Sequence, residues 1–357
     1  MPDARYSPRL HRIALLTAVA TFPLIFMGGL VTSHGAGMSV PDWPNSYGYN
    51  MFTFPPSKWI GGIFYEHTHR LMGTVVGLCA IALTIAAWKL EPRRWARWLA
   101  TGVLGAVIFQ GILGGLRVVW VNLDLAIVHA CFAQAFFCLA ASVSVVTSRW
   151  WINAPALATS DPRSGGRRLI GLAVACLFAI YLQLVIGAVI RHEKAGLAIP
   201  DLPLAYGKLL PPSSTAALEA INKQRAWTWQ MDPVSMSQVW MHFAHRVGAV
   251  VVSLAVIGLV TLAFRDRNRR QGLTVPAGIL ATLLIVQLSL GVLTVLLRKP
   301  ADIASAHVAV GALVLVTTVW IALRAARLYE NRAAQAVEFE MNPLPAEPHE
   351  MREMIAA

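Results

Sequence analysis

Eight stretches of about twenty consecutive apolar residues constrain this chain more than anything else in it, because an α-helix needs about that length to cross the hydrocarbon of a bilayer. They run over 13–33, 67–88, 98–117, 125–147, 169–190, 242–264, 275–297 and 304–326. Of 357 residues, 56% are hydrophobic and only 13% are charged. A soluble domain carries about a quarter charged residues, so water is not the main solvent here. The expected fold is an all-α integral membrane protein. The first stretch follows Arg5, Arg9 and Arg12 and resembles a signal peptide. Its counterpart in the repeat described below, 169–190, is interior, which argues for a retained span.

The net charge of +12 does not point to nucleic acid, because the basic residues sit in short clusters between apolar runs, as membrane proteins use them to set orientation. Lys89, Arg93, Arg94 and Arg97 form one cluster, Arg265, Arg267, Arg269 and Arg270 another, and Arg324, Arg327 and Arg332 flank the last span. The positive-inside rule then puts both termini in the cytoplasm and the long connections, about 34–62 and 191–240, outside the plasma membrane. The last ~28 residues are polar and read as a disordered cytoplasmic tail. Cys79, Cys131, Cys138 and Cys176 all fall in apolar runs without a CxxC spacing, which excludes a loop disulfide and covalent heme attachment.

The chain is duplicated. Pro41, Asp42, Pro44, Tyr47 and Gly48 reappear as Pro200, Asp201, Pro203, Tyr206 and Gly207; His69-Arg70 reappears as His245-Arg246. Gln110 and Gly114 answer to Gln287 and Gly291, and His129 to His307. Four spans per unit return the chain to the same side, so the halves form a parallel tandem repeat about an axis along the membrane normal. The expected architecture is two tandem pseudo-symmetric four-helix bundles: 1–148, a cytoplasmic linker over 149–168, 169–328, and a tail over 329–357.

Four of the ten histidines occupy repeat-equivalent positions: His69, His129, His245 and His307. Each falls near the outward end of the second, fourth, sixth or eighth span, so they share one depth. Ionisable groups inside a membrane are costly and tend to be functional. Two facing helices with one imidazole each can hold an iron from both sides. Isolated histidine pairs lack the carboxylate or thiolate that usually completes other metal sites, which favours heme. Arg70 and Arg246, next to two of these histidines, suit either a heme propionate or a headgroup anchor; Arg117 and Arg191 are further candidates. His67 reads as peripheral, and His34 and His192 as solvated loop residues.

The halves differ at one informative position. Glu66 lies three residues before His69, on the same helix face, whereas His242 takes that place before His245. A carboxylate beside a heme can move protons or stabilise developing positive charge; a purely electron-carrying heme needs neither. Glu66 also fits a plain helix cap, and spacing alone leaves His242 open as a rival ligand to His245.

These features resemble the heme A synthase family over nearly the whole chain. The resemblance rests on Gly28-Gly29-Leu30 leading into Gly37-Met-Ser-Val-Pro-Asp-Trp-Pro44, on Glu66-x-x-His69-Arg70, and on His129, His245-Arg246 and His307. It implies that heme O is the substrate and that its C8 methyl is oxidised to a formyl group by two successive hydroxylations. It also implies that His245 and His307, with Arg246, hold a heme b cofactor. His69 and His129, with Arg70, would position the substrate heme, and Glu66 would be the essential acidic residue. The expected partners are the enzyme that delivers heme O, an electron donor such as a quinol, and the lipid bilayer, with a homo-oligomer left open. Two departures stand out: the outer loops lack the paired cysteines of many bacterial members, and Val31-Thr32-Ser33-His34 stands where many have a Thr-Arg pair. A bis-heme electron carrier and a heme transporter are the competing readings, and neither needs the Glu66 asymmetry.

Overall fold

The computed structural model describes residues 6–154, 166–265 and 272–329. The tail, linker residues 155–165, and Arg5, Arg267, Arg269, Arg270 and Arg332 lie outside them. Eight helices are long and apolar enough to cross a membrane: α1 (Pro8–Ser33), α2 (Gly62–Leu90), α3 (Arg94–Val119), α4 (Leu123–Val146), α6 (Gly166–His192), α8 (Met236–Arg265), α9 (Thr274–Leu296) and α10 (Ala301–Tyr329). Two shorter helices join them, α5 (Arg149–Asn153) after α4 and α7 (Thr215–Gln224) in the second long connection. Several spans run a turn or more beyond their apolar stretch, and α1 and α4 open on polar caps. Ser7 accepts the Leu10 N–H at 3.4 Å with Pro8 in the first turn of α1, and Asn122 accepts the Leu125 N–H at 3.0 Å to open α4.

The helices close into two rings. α1, α2, α3 and α4 pack in sequence with α4 returning to α1; α6, α8, α9 and α10 do the same. The rings meet where α10 packs on α1 and α4, and where α4 packs on α6. Alanine fills the closest contacts: Ala14, Ala80, Ala100, Ala140, Ala277 and Ala312 are fully buried. Lipid gives apolar helices no hydrophobic reason to associate, so cohesion comes from close packing that small residues permit. The outer surface stays apolar instead. Val247, Val250, Leu254 and Ile257 of α8 are each about half exposed, at three- and four-residue spacing, as a lipid-facing stripe requires.

The two long connections lie at the same end of the rings as the four repeated histidines. Each contains the same turn. Asp42 accepts the N–H groups of Tyr47 and Gly48 at 2.7 Å each, and Asp201 accepts those of Tyr206 and Gly207 at 2.8 Å. Tyr47, Gly48, Tyr206 and Gly207 all have φ between 50° and 76°, a strained region for tyrosine, and the carboxylate holds the turn closed. Burial pushes the Asp42 carboxyl up, but the N–H groups of Gly48 and Tyr47, with Arg70 nearby, outweigh it and hold the group below the usual carboxylate range. The second connection adds α7 and a π-helical turn, Arg225–Trp229, where buried Arg225 donates to the carbonyls of Leu197, Ala198 and Asp232.

Candidate functional site

Each repeated histidine leans on a glycine of the neighbouring helix. A Cβ added at Gly28 would sit 3.0 Å from Cε1 of His69; at Gly114, 3.0 Å from that of His129; at Gly187, 3.3 Å from that of His245; and at Gly291, 3.1 Å from that of His307. Only glycine lets these rings lie so close to the adjacent backbone. The four cradles place His69 on α2 against α1, His129 on α4 against α3, His245 on α8 against α6, and His307 on α10 against α9.

Within the first ring the His69 and His129 imidazole centroids are 6.4 Å apart, with their planes at 82°. Two imidazole–metal bonds of about 2.0–2.1 Å, plus about 1.1 Å from each nitrogen to its ring centre, require about 6.3 Å. The separation of the two ring centres matches that span. In the second ring His245 and His307 are near enough to interact electrostatically. Among the described residues, no three of His, Cys, Asp and Glu converge on one point.

The histidine nitrogens differ between the rings. His307 Nδ1 lies 3.2 Å from the Gln287 carbonyl, and His245 Nδ1 lies 3.0 Å from the Gln183 side-chain nitrogen. Nδ1 of His69 and of His129 is buried without a hydrogen bond; the carbonyls of Leu24 and Gln110 lie toward them without closing one. His307 Nδ1, facing a carbonyl, carries the ring proton and leaves Nε2 free to bind iron, whereas His245 Nδ1 accepts from the Gln183 amide.

Above the histidines one backbone frame carries two different occupants. The Val40 N–H donates to Glu66 Oε2 at 2.9 Å, and the equivalent Ile199 N–H donates to His242 Nδ1 at 3.2 Å. Glu66 and His242 are both buried. With Nδ1 accepting, neutral His242 carries its proton on Nε2 and anchors the loop. Glu66 Oε1 also pairs with Arg70 at 2.9 Å. The same Arg70 guanidinium donates to the carbonyls of Val40, Asp42 and Asn45, and Arg246 donates to those of Ile199 and Leu204. Both arginines thus clasp the outer turn.

A cavity of about 930 Å³ opens between the rings at this end. Arg117, Arg191, Lys194, Arg225, Arg298 and Lys299 line it, with Asp232 the one acid among its lining residues. Arg117 acts electrostatically on His69 and His129, and Arg191 on His307, so the cationic cleft borders both pairs. Arg117 donates to the Gly37 carbonyl at 3.2 Å, and Arg191 to the Gly29 carbonyl and Ser33. Outside the spans, Lys299 has its amine lowered by burial first and then by Arg191 and Lys194. Uncompensated positive charge of this kind suits an anion.

The sequence profile of the cytochrome oxidase assembly protein family matches residues 11–319, from α1 to α10. The chain belongs to this family. It is 27% identical over 295 residues to the heme A synthase of Shouchella clausii, covering 80% of this chain and 87% of the relative. The heme A synthase of Rhizorhabdus wittichii is 23% identical over 351 residues (88% and 94%), and that of Listeria welshimeri 25% identical over 327 residues (89% and 96%). As a member of the cytochrome oxidase assembly family, the chain carries both histidine pairs, Glu66 and His242 inside the matched stretch. Among residues read as peripheral, His67 is fully buried, 3.2 Å from Ser46 Oγ and packed on Phe54 and Trp59. His192 ends α6 with Nδ1 2.8 Å from the Ala188 carbonyl, while His34 is exposed and stacks on Tyr65. Gln183 and Gly187 were not singled out by the sequence; the signal for them is the same Gln-x-x-x-Gly spacing seen at Gln110 and Gln287.

Proposed function

We propose that the protein is a heme A synthase that oxidises the C8 methyl of heme O to a formyl group, giving heme A for terminal oxidase assembly. The observation that carries this reading is the shared loop N–H, held by a carboxylate beside one histidine pair and by an imidazole beside the other. An electron carrier with two equivalent hemes gives no reason for that exchange. Similarity to proteins named heme A synthase over four-fifths or more of the chain supports it.

In this reading His69 and His129 position heme O, and His245 and His307 hold heme b. Heme b, when bound, supplies one-electron transfer toward the substrate site. Each hydroxylation consumes one O2, two electrons and two protons and releases one water; the second yields a geminal diol that loses water to become the aldehyde. A membrane quinol is the proposed source of electrons. Glu66 holds negative charge one helical turn from His69, where it stabilises positive charge developing at the methyl carbon and accepts a proton released there. Arg70 keeps that carboxylate fixed and ties the outer turn over the pocket. Arg246 ties the second turn in the same manner, without a carboxylate. Because they line the open cationic cleft beside both histidine pairs, Arg117, Arg191 and Lys299 are the proposed propionate partners, through charge-assisted hydrogen bonds. In this reading the end with the histidines faces outward from the plasma membrane and both termini are cytoplasmic, as the basic clusters and the positive-inside rule support.

Co-expression with a heme O supply under aerobic, reducing conditions tests the reading. Extracted heme A is the expected result. Heme O recovered unchanged, from cells in which the protein is folded and in the membrane, overturns it.

A further inference from the structure

One helical turn before each cradle glycine stands a residue that faces the histidine carried by the next helix. At three positions it is glutamine: Gln110 before Gly114, Gln183 before Gly187 and Gln287 before Gly291. Gln110 Nε2 donates to the His129 carbonyl at 2.9 Å, and Gln183 Nε2 to the His245 carbonyl at 2.7 Å while also reaching Nδ1. Gln287 Nε2 lies 3.5 Å from His307 Nε2, and its carbonyl receives Nδ1. These amides tie the histidine-bearing helix to its neighbour. The fourth position, before Gly28, is Leu24. Its carbonyl lies toward His69 as Gln110's does toward His129, but its side chain is hydrocarbon. His69 is therefore the one repeated histidine with neither its carbonyl tied by a glutamine nor its Nδ1 bonded.

A side chain that ties the backbone of a metal-binding histidine to the neighbouring helix fixes where its ring sits. We infer that the residue one turn before each cradle glycine sets how firmly its histidine holds iron, and that Leu24 makes His69 the ligand that lets go. This rests on the heme-binding reading above and adds to it a source of unequal grip. A cofactor must stay bound through many turnovers, whereas a substrate heme must enter and leave each time. A leucine in place of glutamine weakens one axial bond while the apolar packing of the ring is kept. Leu24 and Gln183 are positioning residues in this account, acting through His69 and His245.

The test uses the full-length protein in detergent, loaded with hemin and mixed with a globin that scavenges released heme. The wild type should lose heme in two phases. Leu24→Gln should slow the fast phase about tenfold or more and leave the slow one alone; Gln183→Leu should speed the slow phase by a similar factor. Gln183→Glu, whose carboxylate would accept from Nδ1–H, should lower that site's midpoint potential. Leu24→Met, similar in volume and apolar, should change neither phase. The inference is overturned by a fast phase within twofold of wild type in Leu24→Gln, or by an equal slowing in Leu24→Met. A single phase in the wild type, or an unchanged slow phase in Gln183→Leu, overturns it as well. Failure of the wild type to take up hemin as low-spin iron would instead sink the heme-binding reading itself.

Discussion

The two rings share a plan and differ in what they do with it. In the first, the loop N–H of Val40 rests on Glu66, Arg70 completes an ion pair, and both histidine Nδ1 atoms are unbonded. In the second, Ile199 rests on His242, and both Nδ1 atoms have partners. Ser46 and His67, a polar pair under the first loop, become Ala205 and Phe243 in the second. Near its histidines the first ring leaves five buried polar atoms unpartnered, on His67, Thr68, His69, Gln110 and His129, against Arg246 Nε and Gln287 Oε1 in the second. Buried polar groups without partners are costly and are tolerated where something binds or reacts. This contrast is the basis for proposing exchange and chemistry in the first ring and retention in the second.

The sharpest way to break this comparison is to remove one ligand from each ring. His245→Ala should abolish the tightly held, low-spin heme of the purified protein, while His69→Ala should leave it in place, as read by the Soret band and a pyridine hemochrome assay. Equal loss from both variants would make the rings equivalent and end the argument.

Glu66→Gln comes next in size. The amide oxygen can still accept the Val40 N–H, so the loop should stay closed and heme binding intact, but the negative charge is gone. Formyl product should fall by about 100-fold or more, in the range expected for loss of a positioned acid–base group. The reciprocal change, His242→Glu, should not confer oxidation on the second ring's heme. Unimpaired turnover in Glu66→Gln removes that residue from the chemistry.

How far the sequence reveals this depends on the kind of interaction. Span positions are legible because hydropathy alone dictates them. The histidines are legible because a repeated register marks them, and the Glu66–His242 exchange because aligned halves expose it. The Arg70 and Arg246 clasps are not, since their partners are backbone carbonyls of a folded turn, which leave no trace in residue identity. Gln183 escaped for another reason: its counterpart is Leu24, so aligning the halves hides the spacing that Gln110 and Gln287 share. The amphipathic α7 lies in a polar connection where hydropathy gives no signal.

The cleft arginines sharpen the comparison with smaller effects. Arg117→Leu should raise the apparent KM for heme O about tenfold with little change in kcat, as expected when a charge-assisted contact made equally in ground and transition states is lost. Arg191→Leu should instead speed loss of the retained heme and leave that KM nearly unchanged. Steady-state kinetics on both variants, alongside heme retention, checks the division; exchanged phenotypes would reverse which propionates each arginine meets.

The smallest effect comes from Lys299, and its sign runs two ways. Burial, then Arg191 and Lys194, lowers its amine below the ordinary lysine value of 10.5, so over the interval between the lowered value and 10.5 the unfolded chain binds more protons than the folded one. Stability of the heme-free protein should therefore rise with pH across that interval. Heme retention should move oppositely, because a neutral amine no longer attracts a propionate, and dissociation should quicken a few-fold as pH climbs toward 10. Lys299→Arg, which stays charged throughout, should flatten the retention profile while keeping heme bound at neutral pH. A retention profile with the same alkaline limb in Lys299→Arg would place the titrating group elsewhere and leave the cleft without its proposed anion.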